Sequence, residues 1–161
     1  MAKESPYGKG TKGAFIFDLD GTLCDCTPRV KKYLNGNDDW EGFYEHCDED
    51  YSIDAVCVIL EALYWKGYDI LFVTGRRESC RENTLKWLRE HFNEQIADTN
   101  KLFMRSAEDG HRADYVTKIK NYNKYIRDKW YVLGVFEDRD SCVYAWRDLG
   151  LQCFQVADGT Y

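Results

Sequence analysis

Short apolar runs alternate with amphipathic stretches from residue 14 to the end of the chain. The runs have the length and composition of buried strands, and the stretches between them repeat apolar residues at helical spacing. Strands are predicted at 14–17, 69–73, 101–104, 131–136 and 151–156, and one of the intervening helices is predicted over 113–129. Strands that alternate with helices are typical of a parallel sheet. We therefore expect an α/β fold with a parallel five-stranded central sheet and helices on both faces.

Two segments depart from this alternation. Residues 1–12 are polar and glycine-rich, and we interpret them as a flexible lead-in to a single domain over 13–161. Residues 24–51 carry apolar side chains at helical spacing in an acidic setting, which predicts a small cap-like helical insertion after the first strand. These side chains are Trp40, Phe43, Tyr44 and Cys47. Packing of the aromatic ones in the core is favoured over stacking on a nucleobase.

Composition narrows the possible classes of protein. The chain has 161 residues, enough for one well-filled core, and a net charge of −6. That charge argues against a protein that coats nucleic acid, but it leaves room for a local basic pocket that binds one phosphate. The seven scattered cysteines favour buried free thiols in a reducing compartment, and no Cys-x-x-Cys pair suggests structural zinc. No apolar run is long enough for a signal peptide or a membrane span, so a cytoplasmic location is expected.

The first apolar run ends in Asp18-Leu19-Asp20-Gly21-Thr22. Because Asp18 and Asp20 are two residues apart, both side chains are expected on the same side at the end of the strand. Two such carboxylates repel each other unless something holds them, and a hard cation is the natural candidate. An aspartate can also attack phosphorus, while a neighbouring carboxyl group transfers protons. The alternative is a capped loop with solvated carboxylates.

Three further polar clusters lie at strand ends or on an adjacent helix. Thr74-Gly75-Arg76 offers a hydroxyl and backbone N–H groups to an anion, or is an ordinary helix N-cap by Thr74. Asp114 and Lys118 share a helix face, where Lys118 can neutralise a phosphoryl group oriented by Asp114, or the two form a surface ion pair. Glu137-Asp138 can complete a cation site, or is an acidic loop. Since the carboxyl ends of parallel strands share one edge, all four clusters should converge there.

With these motifs the chain resembles the haloacid dehalogenase superfamily of phosphotransferases from residue 14 to its carboxyl end. More narrowly, it resembles the 3′-phosphatase domain of phage polynucleotide kinase/phosphatase. The residues that support the narrower resemblance are Leu102-Phe103-Met104-Arg105, Asp109, Arg112, Asp114, Lys118 and the tail 146–161 with its final Tyr161. No kinase phosphate-binding loop is recognised, so we expect a phosphatase domain that stands alone. The segment 24–51 does not closely match the phage enzyme.

The resemblance implies a role for each motif residue. Asp18 would be the nucleophile and Asp20 the general acid–base. Asp18, the backbone carbonyl of Asp20 and Asp138 would hold Mg²⁺, with Glu137, where an aspartate is often found, in the outer shell of the metal. Thr74 and Lys118 would bind the transferring phosphoryl group. Arg29, Arg76, Arg105 and Asp114 would contact or organise the phosphates of the substrate.

The function that these features favour is Mg²⁺-dependent removal of a 3′-phosphate through an aspartyl-phosphate. The substrate would be a 3′-phosphorylated DNA or RNA end or a nucleotide, and no membrane or specific protein partner is implied. One alternative is a 5′-nucleotidase or a small-metabolite phosphatase. Another is a non-catalytic binding module, which is disfavoured because Asp18, Asp20, Thr74, Lys118 and Asp138 are all present.

Overall fold

The computed structural model describes residue 10 and residues 12–36 and 38–159. The strands in these ranges are β1 (Lys12–Phe17), β2 (Cys24–Asp25), β3 (Tyr51–Ser52), β4 (Asp69–Arg77), β5 (Leu102–Arg105), β6 (Trp130–Glu137) and β7 (Cys153–Gln155). The α-helices are α1 (Thr27–Tyr33), α2 (Trp40–Glu45), α3 (Asp54–Trp65), α4 (Arg81–His91), α5 (Asp114–Asn121) and α6 (Asp140–Asp148).

The central sheet has the strand order β5-β4-β1-β6-β7, and every neighbouring pair is parallel. The predicted five-stranded parallel α/β fold is therefore confirmed. The order places β1 between β4 and β6, so the carboxyl ends of these three strands are adjacent. Chemistry carried by all three can meet at one edge of the sheet.

Two hydrophobic cores lie on opposite faces of the sheet, because successive side chains of a strand point in opposite directions. Phe17 belongs to the core that includes side chains of α3 and α4. Ile16 belongs to the other core, which includes side chains of α6 and of the turn after α5. Helices therefore cover both faces, as a parallel sheet requires.

The strand β4 is longer than its sequence predicts. It continues past Val73 to Arg77, and α4 begins only at Arg81 after a 3₁₀ turn. The cause is tertiary: after an irregularity in register, Arg77 pairs with Arg105 of β5. The predicted strand end at residue 73 is therefore wrong, and so is the alternative interpretation of Thr74 as a helix N-cap. Thr74 lies within the strand, and its hydroxyl accepts a hydrogen bond from the backbone N–H of Arg76 at 3.2 Å.

The predicted helix 113–129 is shorter and less regular than expected. Its α-helical part, α5, ends at Asn121 and is followed by a π-helical turn over Tyr122–Ile126. Both residues that bound this turn are buried in the second core. The turn therefore keeps the apolar side of the segment against the sheet.

The segment after β1 contains α1 and α2 and is closed at its base by a small hairpin. β2 and β3 are antiparallel and pair Cys24 with Ser52. Of its aromatic side chains, Phe43 is buried, but Trp40 is 44% exposed and Tyr44 is half-buried. The predicted core packing therefore holds for Phe43 and for Tyr44, which packs against the core that includes side chains of α3 and α4, but not for Trp40. We retain the division into a lead-in and one domain with an insertion as a prediction.

Parts of the predicted organisation lie outside the described residues. The flexible lead-in is almost entirely among them, and Lys12 already opens β1. The final Tyr161 of the matching tail is also outside. All seven cysteines are described, none forms a disulfide, and only Cys26 is not fully buried. Among the described helices, none combines the length and the apolar composition needed to cross a bilayer.

Candidate active site

A cluster of buried carboxylates lies where β1 and β6 end. Asp18 follows β1, Glu137 ends β6, and Asp138 comes next. One carboxylate oxygen from each of the three lies within 4.8 Å of the others. Three buried carboxylates repel one another, and carboxylate oxygens are the ligands that a hard divalent cation such as Mg²⁺ prefers. The donor set therefore fits Mg²⁺.

Lys118 of α5 supplies the positive side chain of this cluster. Its Nζ lies 2.9 Å from Asp18 Oδ1 and 2.7 Å from Glu137 Oε2, and all three side chains are buried. Burial, followed by the charge of Glu137, raises the pKa of Asp18 well above its ordinary value, and Lys118 opposes this rise. Burial lowers the pKa of Lys118, but Asp18 and Glu137 outweigh that effect. Lys118 thus remains a cation beside Asp18.

Glu137 is turned toward Lys118 and the backbone. Its Oε1 accepts the N–H groups of Asp138 at 3.2 Å and Arg139 at 3.4 Å, while Oε2 accepts from Lys118. Asp138 instead accepts a hydrogen bond from the hydroxyl of Thr22 at 3.2 Å. Glu137 is thus engaged through both oxygens, which fits the outer shell of a metal better than its first shell.

The carboxylate of Asp20 lies in a different charge environment from that of Asp18. It accepts from Arg29 Nη2 at 2.6 Å and from Arg76 Nη2 at 2.7 Å. Burial raises the pKa of Asp20, but the guanidinium groups of Arg76 and Arg29 outweigh it and hold the pKa well below its usual range. Asp20 is therefore ionised in this arrangement.

Asp50, which the sequence did not single out, accepts hydrogen bonds from the same two arginines. Its Oδ1 accepts from Arg29 Nε at 2.9 Å, and its Oδ2 accepts from Arg76 Nη2 at 3.2 Å. Arg29 also donates to the carbonyl of Phe43 at 2.8 Å. Asp50 lies 21 residues from Arg29 and 26 from Arg76, so no local spacing could reveal it.

Arg29 and Arg76 were both predicted to contact or organise the phosphates of the substrate, and in the structure both bind carboxylates. Arg76 contributes to the wall of the cleft described below, and Arg29 does not. Both are buried, and both donate to Asp20 and Asp50. Their contacts make them positioning residues for Asp20.

Arg105 and Asp114 form an ion pair at the rim of the site. Arg105 donates to Asp114, to the carbonyl of Gly75 at 3.0 Å and to the carbonyl of Arg112 at 2.7 Å. Asp114 also accepts from Arg139 Nη1 at 2.6 Å. Asp114 thus orients two arginines, whereas the contacts that orient Lys118 come from Asp18 and Glu137.

These groups open into a cleft of about 440 Å³, hereafter the active-site cleft. Asp18, Asp20, Thr74, Lys118 and Asp138 all line it. The insertion contributes apolar and aromatic side chains: Val30, Leu34, Trp40, Phe43 and Tyr44. Other parts of the chain contribute basic ones: Arg77, Arg105, His111, Arg112 and Arg139. A buried nucleophile candidate, an ammonium group and a basic rim suit a phosphate ester.

Comparison with known families identifies the domain. The family "Polynucleotide kinase PNKP phosphatase domain" matches residues 12–161. The chain belongs to this family. It is a phosphatase domain of the haloacid dehalogenase superfamily and thus a phosphomonoesterase, as the resemblance implied.

The chain has relatives in larger proteins. It is 30% identical over 148 residues to a putative bifunctional polynucleotide kinase/RNA ligase of Autographa californica nuclear polyhedrosis virus, covering 89% of this chain and 19% of that protein. It superposes on a chain of a Pnkp1/Rnl/Hen1 complex with a TM-score of 0.75 and 32% identity, covering 92% of this chain and 47% of that one. The chain therefore spans about a fifth to a half of these relatives.

A more distant similarity supports the fold alone. The class C acid phosphatase of Bacillus anthracis superposes with a TM-score of 0.68 at 16% identity, covering 93% of this chain and 68% of that one.

Proposed function

We propose that this domain removes the 3′-phosphate from nucleic-acid ends in a Mg²⁺-dependent reaction, with Asp18 as the nucleophile. The contact of Asp18 with Lys118 beside Glu137 and Asp138 carries the proposal, because phosphoryl transfer needs a nucleophile with positive charge and metal ligands next to it. Membership of the PNKP phosphatase family and similarity to a polynucleotide kinase/RNA ligase support a nucleic-acid end as the substrate.

In the first step, a carboxylate oxygen of Asp18 attacks phosphorus, and the bond from phosphorus to the 3′ oxygen breaks. The leaving oxygen takes a proton from Asp20, and an aspartyl-phosphate forms. Lys118 and Thr74 neutralise and position the phosphoryl oxygens. Asp18 and Asp138, with the backbone carbonyl of Asp20, would hold Mg²⁺, which supplies charge neutralisation at the phosphate when bound.

In the second step, water attacks phosphorus, the carboxylate of Asp20 takes its proton, and the bond to Asp18 breaks to release inorganic phosphate. This step needs Asp20 ionised, the form that Arg29 and Arg76 favour. The first step needs Asp20 protonated. A substrate phosphate that draws a guanidinium group away from Asp20 raises its pKa and supplies that form.

The substrate and the nucleophile are tested together. Wild-type protein and Asp18→Asn receive 3′-phosphorylated oligonucleotide, nucleoside 3′- and 5′-monophosphates, and p-nitrophenyl phosphate, each with and without Mg²⁺. We expect phosphate release from the 3′ substrates, dependent on Mg²⁺ and at least about a thousandfold slower in Asp18→Asn. The control is Asp148→Asn, on the exposed end of α6, which should match wild type. Preference for 5′-monophosphates would instead establish a 5′-nucleotidase.

Asp20→Asn separates the two steps. The rate at which this variant releases phosphate from a nucleoside 3′-phosphate should be lower than that of wild type by a factor of about 10² to 10⁴, because the alkoxide leaving group needs a proton. With p-nitrophenyl phosphate the leaving group needs none, so the aspartyl-phosphate should form and accumulate. Trapping by acid quench and mass spectrometry measures it. Equal losses on both substrates, with no trapped intermediate, would contradict the proton-transfer role.

A further inference from the structure

The insertion presents an aromatic surface to the active-site cleft. The rings of Trp40 and Tyr44 are stacked, with centroids 6.2 Å apart and an interplanar angle of 29°. Both line the cleft, and Trp40 is 44% exposed although its neighbour Phe43 is buried. The guanidinium carbon of Arg77 lies 5.0 Å from the centroid of the Tyr44 ring. An exposed aromatic side chain beside a phosphate site is suited to stacking on a base.

A second cavity of about 380 Å³, hereafter the side groove, adjoins the active-site cleft. Four residues line both cavities: Arg77, Arg105, Gly110 and His111. The acidic residue of the side groove, Glu78, is neutralised by Arg81, whose Nη2 lies 3.0 Å from Glu78 Oε2. The junction of the two cavities is therefore positively charged, although the chain as a whole carries −6.

Two arginines have their charge available: Arg77, which lines both cavities, and Arg112, which lines the active-site cleft. Within the described part of the chain, neither Arg77 nor Arg112 forms an ion pair with a carboxylate, whereas Arg105 and Arg139 both bind Asp114. The backbone that carries Arg112 is fixed, because Arg105 donates to its carbonyl at 2.7 Å and to that of Gly110 at 3.4 Å. A cation on a fixed backbone is preorganised for a phosphate.

We propose that the active-site cleft and the side groove together bind the last two nucleotides of a single-stranded 3′ end. The terminal base stacks on Trp40 and Tyr44, and the next phosphodiester toward the 5′ side binds Arg77 and Arg112. This inference rests on the proposed function and specifies its substrate as a strand, in preference to a mononucleotide. A base that is free to stack must be unpaired, so a duplex end is a poorer substrate.

The stacking contact is tested with Trp40→Ala and a pair of matched substrates. One is a 3′-phosphorylated oligonucleotide, and the other is identical except that its terminal nucleotide is abasic. Loss of one stacking contact should raise KM for the first substrate about 10-fold more than for the second, with kcat nearly unchanged. Trp65→Ala is the control, since Trp65 is 75% exposed at the end of α3 and lines neither cavity. Equal effects on both substrates would overturn the stacking contact.

The phosphodiester contact is tested with Arg77→Gln and Arg112→Gln. KM for a dinucleotide with a 3′-phosphate should rise about 10-fold more than KM for a nucleoside 3′-monophosphate. The slope of log KM against log salt for the dinucleotide should fall by about 0.7 for each contact removed. Arg89→Gln, an exposed arginine of α4, is the control and should leave the slope unchanged. An unchanged slope in both variants would overturn this contact.

The two proposals fail in different ways. If the wild type releases no phosphate from any 3′ substrate, the proposed function is wrong. If the wild type acts on the mononucleotide as efficiently as on the strand, and the variants affect both equally, the function stands and the path of the strand is wrong. A preference for strands that depends on both Trp40 and the arginines supports the inference.

Discussion

Asp18 and Asp20 are two residues apart and lie in opposite electrical surroundings. Asp18 shares its space with Glu137 and Asp138, so burial and like charge raise its pKa. Asp20 shares its space with Arg29 and Arg76, which hold its pKa low. Environments that separate the pKa values of two neighbouring acids are typical of sites that assign them different roles. The contrast depends on partners from three other segments of the chain.

At Asp109, the pH dependence of stability can be predicted. Burial raises the pKa of this carboxyl, but Lys120 and Ser106 lower it to about 2. Because the folded-state pKa lies below the unfolded value, the stabilisation is complete above the unfolded pKa and is lost as the pH falls toward 2. Since Lys120 is partly exposed, we expect Asp109→Asn to lower the free energy of unfolding by about 1 to 2 kcal/mol at neutral pH.

Urea unfolding from neutral pH to about pH 3 measures this effect. The difference in free energy between wild type and Asp109→Asn should shrink as the pH falls below about 4. Asp148→Asn serves as the control and should leave the unfolding free energy unchanged. A difference for Asp109→Asn that stays constant over this range would contradict the ion pair as its source.

At Gly75, the chain leaves no room for a side chain. A Cβ there would lie 2.7 Å from Cγ and 2.9 Å from Oδ2 of Asp114, and closer still to Oδ1. That carboxylate cannot retreat easily, because Arg105 and Arg139 hold it. We expect Gly75→Ala to lower the free energy of unfolding by about 1 to 3 kcal/mol. In an Asp114→Ala background, Gly75→Ala should lower the free energy of unfolding by less. An equal loss in both backgrounds would show that the contact with Asp114 is not the cause.

Among the elements, the insertion is tied to the sheet by a buried cluster of charges as well as by packing. Arg29 of α1 and Arg76 of β4 meet on Asp50, which precedes β3. The indole N–H of Trp87 in α4 donates to the carbonyl of Asp50 at 2.7 Å. The hairpin of β2 and β3 closes the base of the insertion nearby. One buried carboxylate thus positions a helix, a strand and, through the two arginines, Asp20.

Removing that charge should loosen the insertion. Asp50→Asn leaves two buried guanidinium groups with Asp20 alone, so we expect a loss of about 3 to 5 kcal/mol in the free energy of unfolding. Hydrogen exchange in α1 and α2 should become faster. Asp48→Asn is the matched control, because Asp48 pairs with the exposed Lys86 and should contribute less than about 1 kcal/mol. Similar losses in the two variants would argue against the Asp50 cluster as the anchor.

On the scale of the whole molecule, the site is a product of strand order. β4, β1 and β6 are neighbours, so Thr74, Asp18 and the pair Glu137-Asp138 reach the same edge from distant parts of the chain. The helix α5 then brings Lys118 against the end of β1. Folding therefore gathers carboxylates that the unfolded chain keeps apart. A cation that binds them should stabilise the folded state.

Mg²⁺ should therefore raise the melting temperature of the domain. Ligand binding to the folded state alone adds about 2.7 kcal/mol when the ligand is at a hundredfold its Kd. Asp138→Asn, which removes one carboxylate, should abolish most of this rise, while Asp148→Asn should retain it. Differential scanning fluorimetry with Mg²⁺ and with K⁺ at equal ionic strength measures the effect. If K⁺ raised the melting temperature by the same amount, the effect would be general screening of charge and not binding of Mg²⁺.

The sequence predicts the sheet and the convergence of its polar clusters, because both follow from local patterns. The apolar runs specify the strands, and parallel order brings residues such as Asp18 and Asp138 to one edge. The extension of β4 depends on the pairing of Arg77 with Arg105, which no local pattern encodes. The role of Asp50 likewise depends on contacts across the insertion. Nor does helical spacing show that Phe43 is buried while Trp40 faces the cleft.

Arg29 pairs with both Asp20 and Asp50, and this has a consequence for protein engineering. The insertion carries both the aromatic surface and the arginine that holds the charge on Asp20. A chimera that receives the insertion of another phosphatase would acquire a different cleft wall and also a different proton affinity at Asp20. Exchange of this segment should therefore succeed only when Arg29 and Asp50 are transplanted together, with Arg76 retained in the recipient scaffold.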